Sequence, residues 1–378
     1  LGFDYIQDFE GVSLKLSLPS WAKDVAIVTV IFAAGGAYVE LKLKVICALL
    51  RAQMMCGVLD KDIALLKQAQ EYSKEVNEPE LNIRVLLAEL YSTLVENPSN
   101  ELFEARISIA NKATDIVKTI DNDSLYIEVL SWQMQDLFVY GKSKEIAILL
   151  KQQLRYVVAT KQPFFRYYTT MWETLFYAAN GDFSAAQKSA TAGLDYCRWL
   201  PGQDSEGVFG LQMFTIKREQ GVLFGMTHIV QKFVEDTPQH SHWLPRLALI
   251  YTDIGQLDKA KTIFDDLLSS NLSAIAKDAM WLTCIAYLSE VCLQLKDANA
   301  AKILYQALLP HSGFNILVGA NICTLGSTDR YLGLLAITMQ DYELAEQYLS
   351  KAIKNNQQQG FYVYAAHSRY ELAEMMSQ

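Results

Sequence analysis

Few residues in this chain interrupt a helix, and fewer still carry the chemistry of a catalyst. Only eight prolines are spread over 378 residues, which suits long helices. Six cysteines stand far apart, at 47, 56, 197, 284, 292 and 323, with no C-x-x-C pair among them. That spacing excludes a C-x-x-C zinc or redox motif, and so few cysteines in so long a chain do not make a disulfide framework. They read as small buried apolar residues in a reducing cytosol. The net charge is −9 and no run of Lys and Arg occurs, so direct nucleic-acid binding is not expected.

Long hydrophobic runs are also missing. The most apolar stretch, residues 25–39, has Lys23 and Asp24 before it and Glu40 after it. As a helix it would extend about 22 Å, short of the ~30 Å hydrocarbon core of a bilayer. It is expected to be a buried helix or strand beside the first repeat, with no membrane span. No basic segment precedes an apolar run at the start, so no signal peptide is visible and a cytoplasmic location is expected. The chain begins at Leu1 without a methionine, and is expected to be a piece of a longer protein.

Catalytic and metal-binding patterns fail one by one. Gly141-Lys142-Ser143 ends like a phosphate-binding loop, but Asp136 stands where such a loop needs its first glycine. Without that glycine the backbone N–H groups cannot curl around a phosphate, so the segment reads as an inter-helix turn. The Gly35-Gly36 pair lacks a G-x-G-x-x-G context. His240 and His242 form an H-x-H pair with no Cys or carboxylate partners nearby, which reads as a solvated loop and not a zinc site. No H-E-x-x-H, G-x-S-x-G or Cys/His nucleophile arrangement occurs. No catalytic residue, no metal site and no cofactor is expected, and the chain reads as a non-enzyme.

What is present is a period. Turn positions at Gly57, Asn100, Gly141, Gly181, Gly221, Gly255, Lys296 and Gln340 are separated by 43, 41, 40, 40, 34, 41 and 44 residues. Five residues after each stand Asp62, Ala105, Ile146, Ala186, Met226, Ala260, Ala301 and Ala345. Before the later turns the apolar residues fall at i, i+3, i+4 and i+7: Leu247, Ile250, Tyr251 and Ile254, then Leu288, Val291, Cys292 and Leu295, then Leu332, Leu335, Ala336 and Met339. Each set is one stripe of an amphipathic helix. A second helix then offers a small residue for close approach and larger ones toward the next hairpin, as in Ala260, Phe264 and Leu267. Hairpins of this size cannot bury their apolar faces alone and must stack. The expected fold is all-α, a right-handed tetratricopeptide-like solenoid of about eight helical hairpins.

The alternation VSLKLSL at 12–18 is a strand signal, closed by Pro19. Residues 1–24 are therefore expected to be the remnant of a preceding domain or a linker, and residues 25–378 the solenoid. Turn-rich connections interrupt it at 200–207 and 237–245. The longest, at 310–327, is expected to be a loop insertion and holds Gly313, Gly319 and Gly326.

The segments PGQDSEGVFGLQMFTIKREQG (201–221), WLPRLALIYTDIG (243–255), KDAMWL (277–282), LYQALLPHSGFNILVGANICTLGSTDRYLGLLA (304–336), YELAEQYLSKAI (342–353) and AHSRYELAEMM (366–376) form an ordered series. Together they resemble the C-terminal tetratricopeptide-like region of large bacterial signalling ATPases of the STAND/AAA type. Those proteins carry a class III adenylate/guanylate cyclase or a LuxR-type helix-turn-helix output domain. Residues 40–200 fit more loosely, and the turn TMQDYE before the last repeat lacks the family's glycine. The resemblance implies a regulatory arm that senses an effector or partner, and does not place the ATPase or cyclase in this chain.

Two clusters are candidate binding residues. Ser327 is a good N-cap after Gly326, and Arg330 one turn on would add a charge-assisted bond to an anionic ligand. The alternative is that the glycines let the loop fold back while Ser327 and Asp329 cap. In the aromatic run at 164–177, Phe165, Trp172 and Phe176 are expected to pack between hairpins. Arg166, Tyr167 and Tyr168 either pack likewise or line the concave groove and stack on a ligand or peptide. The expected partners are the chain's own upstream ATPase and output domain or other proteins, with a small-molecule effector as a further ligand. The rival reading is a stand-alone adaptor for peptide segments.

Overall fold

The computed structural model describes residues 38–55, 63–93, 98–198, 205–223, 227–228, 230–232, 243–319 and 321–377. The strand expected at 12–18, the run at 25–37, Gly57, Asp62, Met226, the connections at 200–204 and 237–242, and His240 and His242 lie outside them. The chain divides into two compact units, residues 1–89 and 90–378.

In the first unit, α1 (Tyr38–Met55), α2 (Ile63–Glu75) and the greater part of α3 (Pro79–Ser92) are described. Leu43, Ile46 and Leu50 of α1 share a core with Leu65, Leu66 and Ala69 of α2 and with Leu81, Val85 and Ala88 of α3.

The second unit continues with α4 (Asn100–Val117), α5 (Asp123–Val139), α6 (Ser143–Thr160), α7 (Pro163–Asn180), α8 (Phe183–Cys197) and α9 (Ser205–Glu219). After these come α10 (Trp243–Asp253), α11 (Leu257–Ser269), α12 (Trp281–Leu295) and α13 (Ala298–Leu308). A 3₁₀ turn (Leu309–His311), two strands and α14 (Thr328–Thr338), α15 (Tyr342–Gln359) and α16 (Tyr362–Met376) complete it. The helices pack as consecutive tetratricopeptide-like hairpins, α5 on α6, α7 on α8, α10 on α11, α12 on α13 and α14 on α15.

One device makes the turns. Gly141, Gly181, Gly221, Gly255, Lys296 and Gln340 all have positive φ, between 56° and 94°. At Gly181 the turn N–H donates to the Ala178 carbonyl and the next N–H, of Asp182, reaches back to Tyr177. The same two bonds recur at Gly255 with Gln256 and at Lys296 with Asp297. This is the left-handed helix ending that satisfies the last carbonyls, and glycine adopts it without steric cost. Asp182, Asp297 and Asp341 then cap the following helix through their carboxylates. Lys296 and Gln340 hold the same geometry with a Cβ, so the absence of a glycine at 340 does not change the turn.

Five residues beyond five of these turns the chain is closed off from solvent. Ile146, Ala186, Ala260, Ala301 and Ala345 are all fully buried. The repeat at Asn100 departs from the expectation. Asn100 lies inside α4, Ser99 is the N-cap, and Ala105 is exposed. Counting from the cap puts Phe103 in the packed slot, where it stacks on Tyr140 at 4.3 Å. The sequence period is two residues out of register there.

The expected loop at 310–327 is more ordered than a loop. Asn315–Val318 (β1) and Cys323–Ser327 (β2) pair antiparallel, with a bulge between Ile316 and Leu317. Ile316, Val318, Cys323 and Leu325 are buried, an apolar content that the three glycines masked in the sequence. Gly326 has φ +71°, and a Cβ there would meet the Cβ of Tyr364 at 2.7 Å. The hairpin packs against α5, α7, α9, α12, α14, α15 and α16. It packs on α12 and α14, which are buried on more than the single stripe expected. The fold is an all-α repeat array with one inserted two-stranded hairpin among the described residues.

Side-chain bonds anchor the insertion. Asn315 Nδ2 donates to the Phe138 carbonyl at 2.8 Å, and the Tyr364 hydroxyl donates to the Thr324 carbonyl. The last repeat closes on the same place. Phe361 lies 5.4 Å from Phe138, ring to ring, and Gln359 bonds the turn at Gly141.

Candidate functional site

Gly326, Ser327 and Arg330 do come together, and the structure places them inside the protein. Ser327 is fully buried; its hydroxyl accepts from the Asp329 N–H, and its own N–H donates to Asn356 Oδ1 at 2.9 Å. Asp329, also fully buried, accepts from the Ser312 hydroxyl, the Gly313 N–H and Lys351 Nζ. The capping and fold-back roles are thus met by these residues. Arg330 is 3% exposed. Its Nε donates to both Glu371 oxygens and its Nη atoms reach Glu290 and Glu371. Two carboxylates of the protein occupy the positions an anionic ligand would take.

Arg330 belongs to a relay of charge. Asp253 of α10 pairs with Arg218 of α9 at 2.7 Å, and Arg218 with Glu290 of α12 at 2.7 Å. Glu290 pairs with Arg330 of α14, and Arg330 with Glu371 of α16. Glu219, next to Arg218, meets His367 of α16 at 2.7 Å. Burial disfavours the Glu290 carboxylate, but Arg218 and Arg330 outweigh it and hold its pKa well below the ordinary value. At Glu371 burial wins over Arg330 and the pKa rises. Sequence reasoning found Arg330 and missed the rest, because Arg218, Asp253, Glu290 and Glu371 share no position relative to the turns.

The aromatic helix α7 divides as expected for Phe165 and Trp172, both buried. Tyr167 is 4% exposed and packs with Met171 and Cys197. Tyr168 and Arg166 are half-buried. Tyr168 meets Phe164 edge to face at 4.9 Å and packs with Ile322 from the connection between the strands. Arg246 is fully buried, and its guanidinium has no hydrogen-bond partner. It lies 4.5 Å from the Trp243 ring and 5.5 Å from Phe214 and Tyr287.

A cavity of about 200 Å³ opens between α4, α5, β1 and the start of α12. Arg106 and Asp136 form its inner wall, each 4% exposed, with Nε to Oδ1 at 2.7 Å. Tyr140, Trp281, His311 and Phe314 supply aromatic walls. Burial pushes the His311 pKa down to about 4. Asp136, marked in the sequence only as the residue that spoils a phosphate loop, lies on this cavity together with Gly319 of the insertion and most of the segment 277–282.

Among the described residues no cluster of three His, Cys, Asp or Glu side chains suits a metal ion. No described helix is long and apolar enough to cross a membrane, and the five described cysteines are buried without a disulfide.

The packing defines a tetratricopeptide-like helical-repeat array. Neither a protein-family model nor a curated protein matches the sequence. A solved structure that is similar is a Signal Transduction ATPase with Numerous Domains (STAND) from Pyrococcus horikoshii with a tetratricopeptide repeat sensor. It is 14% identical, with a TM-score of 0.45 over 90% of this chain. The chain spans 55% of that protein's length.

Proposed function

We propose that this chain is the non-catalytic sensor and protein-interaction arm of a cytoplasmic signalling ATPase. It couples the binding of an effector or partner protein to the upstream ATPase and its output domain. The observation that carries the reading is the convergence of five helices on one relay, Asp253–Arg218–Glu290–Arg330–Glu371. A helix that shifts there breaks a partly desolvated ion pair, so its neighbours shift with it or not at all. Packed repeats joined in this way respond as a unit, which is what coupling between distant sites requires.

The rival, an adaptor holding peptide segments along the inner helices, needs those faces open. The β1–β2 hairpin lies on α12 and α14, which favours the sensor arm. The test is nucleotide turnover by the full-length protein with and without Asp253→Asn, a change at the exposed end of the relay. Altered turnover, or an altered response to a partner, is expected. A full-length product without a nucleotide-binding module, or identical turnover in both forms, overturns the proposal.

A further inference from the structure

We propose that the exposed face of α6 is a docking surface for an acidic amphipathic helix of a partner protein, one that carries aliphatic side chains with carboxylates beside them.

The chain has a net charge of −9, yet the segment 142–161 runs the other way. Lys142, Lys144, Lys151, Arg155 and Lys161 stand there against a single acid, Glu145, and all six are exposed. A surface lysine on a helix can pair with an acid three or four residues away, as Lys261 does with Asp265 and Lys44 with Glu40. No Asp or Glu stands at those distances from Lys144, Lys151 or Arg155. Among the described residues these three have no ion pair, so their charge is available to a partner.

The same face carries hydrocarbon that the fold does not use. Ile148 is 68% exposed and Val158 53%. On a helix Lys144, Ile148, Lys151, Arg155 and Val158 fall at i, i+4, i+7, i+11 and i+14, which is one stripe. The other side of α6 is already committed, with Ile146, Gln153 and Val157 fully buried. A cleft of about 810 Å³ is lined by α6 from Ala147 to Ala159, with Asp123 of α5 at its edge. At 1.5 Å per residue its length is about 18 Å, which accommodates roughly three turns of a second helix.

Charge and spacing define the occupant. Ile148 and Val158 lie about 15 Å apart along the axis, so the docked helix needs two aliphatic anchors at that separation. Between them it needs carboxylates for Lys151 and Arg155. Helices laid in grooves are held by anchors of this periodicity. Opposite charge on the two faces speeds encounter and rejects basic partners. A bilayer suits the face less well, because no aromatic ring on the stripe is free to sit at a membrane interface. Tyr156, beside the cleft, packs on Tyr126 with ring centroids 4.5 Å apart. The −9 charge of the whole chain also opposes adsorption on anionic lipid. A nucleic-acid backbone would answer the cations and leave Ile148 and Val158 in water. The surface supplies a partner chemistry for a sensor arm without resting on that reading. Its test involves no nucleotide, so either proposal can fail alone.

The test is fluorescence-anisotropy titration of a labelled synthetic helix with the full chain. The probe has about eighteen residues of Leu, Ala and Glu, with Leu at i, i+4, i+7 and i+11. Its counterpart with Gln for every Glu, and vesicles of phosphatidylserine and phosphatidylcholine, are the comparisons. Saturable binding of the acidic helix is expected, at least about tenfold tighter than the Gln form and weakened by added salt. Lys151→Glu and Ile148→Asp should each weaken it at least about tenfold. Lys302→Glu makes the same charge change at an exposed position of α13, and should weaken it less than about twofold. All three positions are exposed, and thermal melting checks that each variant is folded. Absence of saturable binding by the acidic helix overturns the proposal. So does an equal loss in Lys302→Glu, binding indifferent to Ile148→Asp, or a face that takes up the vesicles and not the peptide.

Discussion

Gln359 holds Gly141 across 218 residues of sequence. Its amide nitrogen donates to the Gly141 carbonyl, and its amide oxygen accepts from the Ser143 N–H at 3.1 Å. One side chain of the last repeat thereby serves both unpaired groups of a turn in the middle of the chain. Gln359→Glu keeps the acceptor and loses the donor, leaving the Gly141 carbonyl facing a carboxylate. A loss of about 1–3 kcal/mol is expected, read as a lower urea midpoint with unchanged slope. An unaltered midpoint would show that the bond contributes nothing to stability.

Lys296 and Gln340 sit in left-handed turns at φ 56° and 62° and bear the steric cost that the glycine turns avoid. Lys296→Gly and Gln340→Gly are each expected to stabilise by up to about 1 kcal/mol, reduced by the extra freedom glycine gives the unfolded chain. The reverse change, Gly181→Ala, should destabilise. Equal melting temperatures for Lys296→Gly and the parent would refute the strain argument.

Glu290 gives the relay a pH signature. Its folded pKa is held below the ordinary 4.5, so its contribution is present above about pH 4.5 and lost as the pH falls below that value. Glu290→Gln leaves the buried Arg330 and the half-buried Arg218 short of one carboxylate, though each keeps a second, and a loss of about 1–3 kcal/mol at pH 7 is expected. The wild type should lose more stability than this variant between pH 5 and pH 3, as followed by denaturant titration.

His311 has the opposite chemistry and the same sign. Its folded pKa falls from 6.5 to about 4, so between those values the unfolded chain binds the extra proton. Stability is full above about pH 6.5 and declines as the pH drops toward 4. His311→Phe should flatten that decline. A variant profile parallel to the wild type over this window would show that another group titrates.

Arg246 is buried among Trp243, Phe214 and Tyr287 with its nitrogens unbonded. The ring faces offset only part of the desolvation of a guanidinium. Arg246→Met is expected to leave the melting temperature unchanged or raise it. A fall of several degrees would mean that the cation–ring contacts outweigh the cost of burial.

The repeat was legible because a left-handed turn and a close helix approach each demand a residue type. Gly181 with Ala186 and Gly255 with Ala260 announced both, and the geometry is as read. Asn100 misled because an N-terminal asparagine resembles a turn residue, while Ser99 performs the capping. Gly360, a further left-handed turn between α15 and α16, lies off the forty-residue spacing and was not counted. The hairpin was hidden by its own glycines, and its strands are set by long-range pairing that no local window contains. The relay and the cavity draw on α4, α5, α9, α10, α12, α14 and α16, and only folding brings these together.

The bond from Asn315 to the Phe138 carbonyl has a further consequence for how this chain assembles. Repeat arrays ordinarily behave as beads that can order one after another from any starting point. Here the middle repeats cannot complete their packing until a segment made much later reaches them. Loss of the β1–β2 hairpin should therefore loosen the centre and not merely a local connection. The ordering step should also be slow and all-or-none, as expected when the decisive contacts are remote in sequence.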